Sequence, residues 1–288
     1  MQIRIGYRLV YEFEQETPLL AVLNVHHSRV GDLVAPDTVT TTPSVPMDGY
    51  HDGFGNWCHR LVAPAGVFQL TADTVIRDPG HPDEVAADAV QQPIQDLPPD
   101  TLVYLLPSRY CESDQLLDKA WELFGTTPPT WERVQAVSDW VHDHIEFGYH
   151  WASPAKTARD ALVEGRGVCR DYAHLGIALC RALNIPARYC TGYLADIGAA
   201  PSTDPDDFAG WFEVYLGRWL TVDPRNGTPR RGRILMARGR DASDVAIATT
   251  FGPNVLRHFE VWAEEVSGSA RIGHSSETDT GSGRTDHS

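Results

Sequence analysis

Residues 165–194 read GRGVCRDYAHLGIALCRALNIPARYCTGYL. Between Tyr172 and Leu183 only His174 and Arg181 are strongly polar. A helix that is apolar nearly all round has to be buried, so this run predicts the central helix of a globular core. Asn184 and Pro186 end it, and ARYCTGYL over 187–194 then reads as an interior strand. Cys169 stands at the mouth of the helix, after Gly165 and Gly167. The first turn of a helix carries unpaired N–H groups and the positive end of the macrodipole. That position predicts a thiol shifted toward thiolate, the nucleophilic form. Its own backbone N–H is free to face a developing oxyanion. The competing reading of any cysteine is a small, inert core residue. It applies to Cys180, about three helical turns further in, and to Cys190 in the strand. Cys58 and Cys111 have no chemical context and take the same reading.

Upstream of this stretch, Leu116, Leu117, Ala120, Trp121 and Phe124 form one helical stripe, stopped by Gly125. Val134, Val137, Trp140, Val141 and Ile145 form a second, begun near Thr130. Thr157 with Asp160 is a capping signal for a short helix closed by Gly165. Downstream, GWFEVYL and RWLTVDP predict a hairpin about Gly217 and Arg218. Toward the N-terminus, Ile3, Ile5, Tyr7, Leu9, Tyr11 and Phe13 alternate with polar residues, the period of a strand with one buried face. Leu19, Ala21, Leu23 and Val25 predict a second strand; Phe68, Leu70, Ala72 and Ile76 predict another. The expected organisation is α+β: an antiparallel β-sandwich over 1–90, a linker over 91–99 within the Pro- and Asp-rich stretch from Asp78 to Pro99, a helix-and-sheet core over 100–264, and a disordered Ser/Gly/Thr tail over 265–288.

The whole chain of 288 residues is 42% apolar and 22% charged, which is globular composition. Asp and Glu total 39 against 24 Lys and Arg, a formal charge of −15. Such a chain lacks the basic stripe that phosphate contact needs, which argues against nucleic acid and anionic membrane surfaces as partners. Five irregularly spaced cysteines are no disulfide framework, and no apolar run reads as a leader or a transmembrane helix. The expectation is a cytoplasmic protein. No C-x-x-C and no glycine-rich phosphate loop is present, so neither a metal nor a cofactor is expected.

The quoted stretch, followed by DFAGWFEVYLGRWLTVDPRN at 207–226, is similar to the transglutaminase-like superfamily. The N-terminal strands resemble the β-domain that precedes the core in bacterial members. The resemblance implies a papain-like cysteine-protease fold with a Cys-His-Asp triad. It further implies acyl transfer or hydrolysis at a glutamine or peptide carbonyl through a thioester, on a peptide, protein or small amide held in the Cys169 cleft. Cys169 takes the nucleophile's slot and Asp223 that of the acid that orients the histidine. The histidine belongs in a pattern like Asp-Phe-His-Ala-Trp-Phe-Glu; here the residues are Asp207-Phe208-Ala209-Gly210-Trp211-Phe212-Glu213, and Ala209 fills its slot. No histidine lies between His174 and His258. The family's chemistry predicts a three-residue hairpin loop, Leu216 to Arg218, because that loop pairs Trp211 with Asp223 and puts position 209 on the same face.

Three readings follow: a cysteine enzyme with a relocated base, a papain-like scaffold that binds a peptide without turnover, and an accessory protein acting through its β-domain. His150, closing the IEFGYH segment, is the better candidate for a relocated base. His174, five residues after Cys169, diverges from it around the helix by about 140° and reads as a hydrogen-bonded core histidine. His258 is bland. His142 and His144 read as solvated residues at a helix end, and His26 and His27 as strand neighbours facing opposite ways. Asp204, Asp206 and Asp207 read as a solvated loop, and Arg230 to Arg240 as a salt-bridge network. Among Trp131, Trp140 and Trp151, only Trp151 lacks an evident packing role.

Overall fold

A computed structural model describes residues 1–198 and 207–266. Asp204, Asp206 and nearly all of the expected tail lie outside the described residues. The chain begins with β1 (Gln2–Phe13), β2 (Thr17–Ala21), β3 (Thr40–Thr42), β4 (Met47–His51), β5 (Trp57–Ala63) and β6 (Gly66–Arg77). Then come α1 (Leu117–Phe124), α2 (Trp131–His144), β7 (Glu146–Phe147), α3 (Ala158–Glu164), β8 (Arg166–Gly167) and α4 (Cys169–Ala182). The chain closes with β9 (Ala187–Leu194), β10 (Ala209–Tyr215), β11 (Trp219–Val222), β12 (Arg233–Gly239), β13 (Ala248–Thr250) and β14 (Asn254–Glu265).

The N-terminal strands build two four-stranded sheets, ordered β14-β1-β6-β3 and β13-β2-β5-β4. The alternation in β1 is that of a half-buried strand: Ile3, Ile5, Tyr7 and Leu9 meet Phe68, Leu70, Leu19 and Leu61 in one apolar cluster. β14 falls within the range expected for the core, yet it runs antiparallel to β1 from Asn254 to Glu265. It covers an edge of β1 that would otherwise leave a long row of open backbone groups. β2 stops at Ala21, short of the expected Val25. Leu23 and Val25 stay buried but leave the ladder, because the Val22 N–H donates to the Ile247 carbonyl and the His26 N–H to that of Leu235. The Asp78–Pro99 stretch, expected as a linker, lies on the core: Ala86, Ala89 and Leu97 are buried, and the Trp131 N–H donates to the Ala89 carbonyl at 2.9 Å.

The core packs α1 to α4 on an antiparallel sheet of order β11-β10-β9-β12. α2 starts at Thr130, whose hydroxyl accepts the Glu132 N–H at 3.2 Å. α3 has the expected capping box between Thr157 and Asp160, and Gly165 closes it at φ 62°. α4 is buried continuously from Asp171 to Ala182. Its N-cap is Val168, which has no side-chain acceptor; only the reverse bond forms, from the Val168 N–H to the Asp171 carboxylate at 2.9 Å. Asn184 ends the helix region at φ 64°, a conformation asparagine tolerates better than most residues. No described helix is long and apolar enough to cross a membrane.

Gly176, midway along α4, lets Phe212 of β10 approach so closely that an added Cβ would lie 2.6 Å from the ring. Gly176→Ala is therefore expected to destabilise the fold by about 1–3 kcal/mol, against a helix-propensity gain of about 1 kcal/mol. Urea unfolding followed by circular dichroism measures the balance; a stability equal to or above that of the wild type would show that the helix–sheet contact tolerates a methyl.

Candidate active site

Cys169 is the first residue of α4 and is half-buried. It opens on a cleft of about 520 Å³ whose lining includes Tyr149, Ser153, Tyr189, Asp207 and Phe208. Parallel pairing of β7 with β8 brings the segment after Phe147 to this mouth of the helix. The sulfur accepts hydrogen bonds from the backbone N–H groups of Gly210 and Arg170, which favour thiolate. Burial opposes them and dominates, and the carboxylates of Asp207 and Asp223 add to it, so the thiol is pushed up to about 11. The helix terminus thus fails to produce the low thiol expected from sequence: its partial charge is worth about 0.3–1 kcal/mol when exposed, and desolvation plus two negative neighbours exceeds that. Asp207, expected in a solvated loop, stands at the cleft rim, and its own carboxyl is raised by surrounding protein.

Tyr189 on β9 is the polar group that sequence reading passed over. Its side chain is 5% exposed and lines the cleft. Its hydroxyl stands over Gly210, where any side chain would collide with it, and a Cβ at 210 would lie 3.5 Å from the Arg170 nitrogen. Burial raises its pKa well above the ordinary tyrosine value, and the neighbouring Cys169 adds to the shift. The available signal was the small residue at 210 beside an interior-strand tyrosine.

The hairpin has the expected odd loop. Tyr215 pairs with Trp219, the Leu216 N–H donates to the Arg218 carbonyl at 3.0 Å, and Gly217 turns at φ 84°. Continued by one step past Phe212 and Val222, this register sets Trp211 opposite Asp223. Asp223 is bound by other groups. Its Oδ2 accepts from Arg233 Nη2 at 2.8 Å and Asn226 Nδ2 at 2.7 Å, and its Oδ1 from the Asn226 N–H at 3.2 Å. Arg233 also holds Asp83 at 3.0 Å and stacks 4.6 Å from the Trp211 ring centre. The expected network over Arg230–Arg240 is there, with Arg230 on Asp196 and Arg240 on Asp244 at 2.9 Å each.

The histidines are accounted for individually. His174 is fully buried; its Nε2 accepts the Ala242 N–H at 3.1 Å, its ring stacks on Tyr110 at 5.2 Å, and burial lowers its pKa to about 3. His150 is exposed and packs on Trp151 at 4.2 Å, outside the cleft lining. His142 and His144 are not simply solvated, since they bond the Pro224 and Leu162 carbonyls at 2.7 Å each. His26 and His27 lie past the end of β2, and their rings come within 4.1 Å, so opposite strand faces do not describe them. His258 pairs with Glu260 at 3.1 Å. Trp140 stacks on His144 at 4.4 Å and Arg166 lies 4.0 Å over Trp151; neither tryptophan, nor Trp131, lines the cleft. Among the described residues no three His, Cys, Asp or Glu side chains are placed to hold a metal ion.

Residues 120–224 match the family model described as the transglutaminase-like superfamily. The fold also resembles the crystal structure of a candidate cysteine protease from Cytophaga hutchinsonii, at TM-score 0.78 and 30% identity, over 91% of this chain and 90% of that one. The chain belongs to the transglutaminase-like superfamily. An uncharacterized protein of Mycobacterium leprae is 32% identical over 117 residues, 39% of this chain and 42% of its own length. An uncharacterized protein of Mycobacterium tuberculosis is 26% identical over 217 residues, 67% of this chain and 68% of its own. The chain thus spans less than half of the first of these relatives.

Within this transglutaminase-like protein, Asp223 is joined to a guanidinium and position 209 carries a methyl. Removing Arg233 strands two carboxylates, Asp83 and Asp223, whose side chains are 15% and 4% exposed. Arg233→Met is expected to cost about 3–5 kcal/mol, measured by urea unfolding at neutral pH; a loss under about 1 kcal/mol would show the pair to be solvent-screened. For the thiol, iodoacetamide labelling of Cys169 followed by peptide mass spectrometry is expected to rise with pH toward a midpoint near 11. Asp207→Asn removes the leading negative neighbour and shifts that midpoint down. A wild-type midpoint at or below the free-thiol value of about 8.5 contradicts the dominance of burial.

Proposed function

We propose that this protein is a thiol acyl-transfer scaffold, in which Cys169 takes an acyl group from a peptide, protein or small amide as a thioester. The observation that carries this reading is the half-buried Cys169 sulfur at the start of α4, facing the 520 Å³ cleft with two backbone N–H groups on it. In the step proposed, the sulfur attacks the carbonyl carbon and the C=O π pair moves onto oxygen. Collapse of that adduct breaks the C–N bond, and the nitrogen leaves with the proton lost by the thiol. The Tyr189 hydroxyl and the backbone N–H of Cys169 are the donors proposed to meet the developing oxyanion, since the Asp171 and Tyr172 N–H groups already donate to the Val168 carbonyl. Asp207, a carboxylate of raised pKa at the rim, is the group positioned to carry the thiol proton in place of an imidazole. Water then hydrolyses the thioester, or an amine takes the acyl group.

Loss of a triad base typically lowers turnover by several orders of magnitude while leaving a residue of catalysis from binding and oxyanion donors. Amide substrates are therefore expected to react far more slowly than activated esters, whose leaving group needs no proton. A second reading, peptide binding without turnover, is favoured by one observation: Asp223 already has Arg233 and Asn226 as partners.

Incubation with a p-nitrophenyl acyl ester, followed by intact-mass and peptide mass spectrometry, is expected to place one acyl group on Cys169. Cys169→Ser is expected to show no such thioester. If iodoacetamide labels Cys169 but the ester leaves no adduct and releases no nitrophenol above background, acyl transfer is excluded and binding without turnover stands.

A further inference from the structure

The β-sandwich contains a second cavity, of about 460 Å³, lined in part by Val25, Leu33, His27, His51, Trp57 and Asp37. It shares no lining residue with the Cys169 cleft. Asp37 is half-buried; its Oδ2 accepts the Val25 N–H at 2.6 Å. Burial raises its pKa, and no basic side chain among the described residues offsets the carboxylate. A desolvated carboxylate without a cationic partner is costly, which makes this one an unspent site for positive charge.

The other polar atoms there have one character. The Nδ1 atoms of His27 and His51 both meet the Gly55 carbonyl, at 2.8 and 3.2 Å. A carbonyl only accepts, so Nδ1 carries the hydrogen in each ring and Nε2 of the neutral ring is an acceptor. The Asn24 amide nitrogen donates to the Asp37 carbonyl at 2.6 Å and also to the Asp37 carboxylate, a neutral donor like the Val25 N–H that leaves the charge unpaired, and the Asn24 Oδ1 takes the His59 Nε2–H at 2.8 Å. What is left to a ligand is a carboxylate oxygen, two imidazole lone pairs and the indole of Trp57, which His51 meets edge-on at 4.9 Å. Apart from the indole N–H, these are acceptors. They are also too dispersed for a metal ion, since no three such side chains converge among the described residues.

We propose that this cavity binds a primary alkylammonium, of the kind a lysine side chain or a free amine presents. An ammonium brings three donors and no acceptor, which suits a lining in which acceptors predominate. Its charge meets Asp37, the face of Trp57 adds a cation–π contact, and its alkyl stem lies along Val25 and Leu33. The site does not depend on any chemistry at Cys169.

The test is titration of the full chain with n-butylammonium, with 1-butanol as the neutral comparator, read by NMR shifts of the ligand and of the protein. Saturable binding of the cation and none of the alcohol is expected, with affinity lowered at least about tenfold, or about 1.4 kcal/mol, by Asp37→Asn. Trp57→Leu, a change on the cavity wall, provides the same reading should the Asp37 variant fail to fold. A parallel titration with Nα-acetyl-lysine methylamide separates the sources. Binding of both points to free amines, and binding of the lysine derivative alone to a lysine carried on another chain. Equal binding of alcohol and cation, no saturable binding of either amine, or unchanged affinity in both variants overturns the proposal, as does displacement of the amine by stoichiometric zinc.

Discussion

The distance between α4 and β10 governs this structure. Two glycines set it. Gly176 allows Phe212 to lie against the middle of the helix, and Gly210 leaves room at the helix mouth for the Cys169 sulfur and the Tyr189 hydroxyl. A side chain at either point would push the helix from the sheet, or fill the space in which the thiol meets the Gly210 N–H. Close packing in a protein interior transmits such a shift over several residues. The continuous burial of α4 from Asp171 onward then fixes the direction of its first turn. A cysteine is thereby held at the rim of a cleft by a rigid element rather than by a loop, as a reactive position requires.

The charge around the acid follows from the same economy of space. Where the family pattern has an imaginable imidazole, Ala209 presents a methyl, and the carboxylate of Asp223 takes its hydrogen bonds from Arg233 and Asn226. A buried carboxylate has to find donors, and Arg233 answers two of them by also holding Asp83. Asp83 lies in the stretch between sandwich and core, so the same guanidinium that satisfies Asp223 pins that stretch to β12. Trp211, beneath the guanidinium at 4.6 Å, extends the arrangement across the face of the sheet. The network commits the hydrogen bonds of Asp223 to structural anchoring.

What could be read from sequence was what local pattern determines. The all-round apolarity of 171–183 marked α4, the Thr157–Asp160 spacing marked a capping box, and the odd hairpin loop followed from which residues had to share a face. What escaped depended on partners far away along the chain. Nothing local tells β14 that its ladder partner is β1, or that the Pro- and Asp-rich stretch after Asp78 buries Ala86 and Ala89 on the core. His26 and His27 were misread for the same reason: the alternation of Leu19 to Val25 continues in burial but not in hydrogen bonding. Tyr189 looked like one more apolar strand residue because its importance lies in what stands across from it, a glycine on the neighbouring strand.

The thiol is the case in which two correct local arguments give opposite signs. A helix N-terminus favours thiolate, by up to about 2 kcal/mol in partly buried geometry. Each tenfold change in thiolate population corresponds to about 1.4 kcal/mol, so the terminus alone could lower a thiol by little more than one decade. In papain-like sites the larger contribution comes from a protonated imidazole beside the sulfur. Position 209 carries a methyl, and the carboxylates of Asp207 and Asp223 both oppose ionisation of Cys169. A methyl at 209 brings no positive charge, so the two carboxylates set the sign of the local field. Burial and the two carboxylates act in the same direction, so together they outweigh the helix terminus and hold the thiol toward its protonated form.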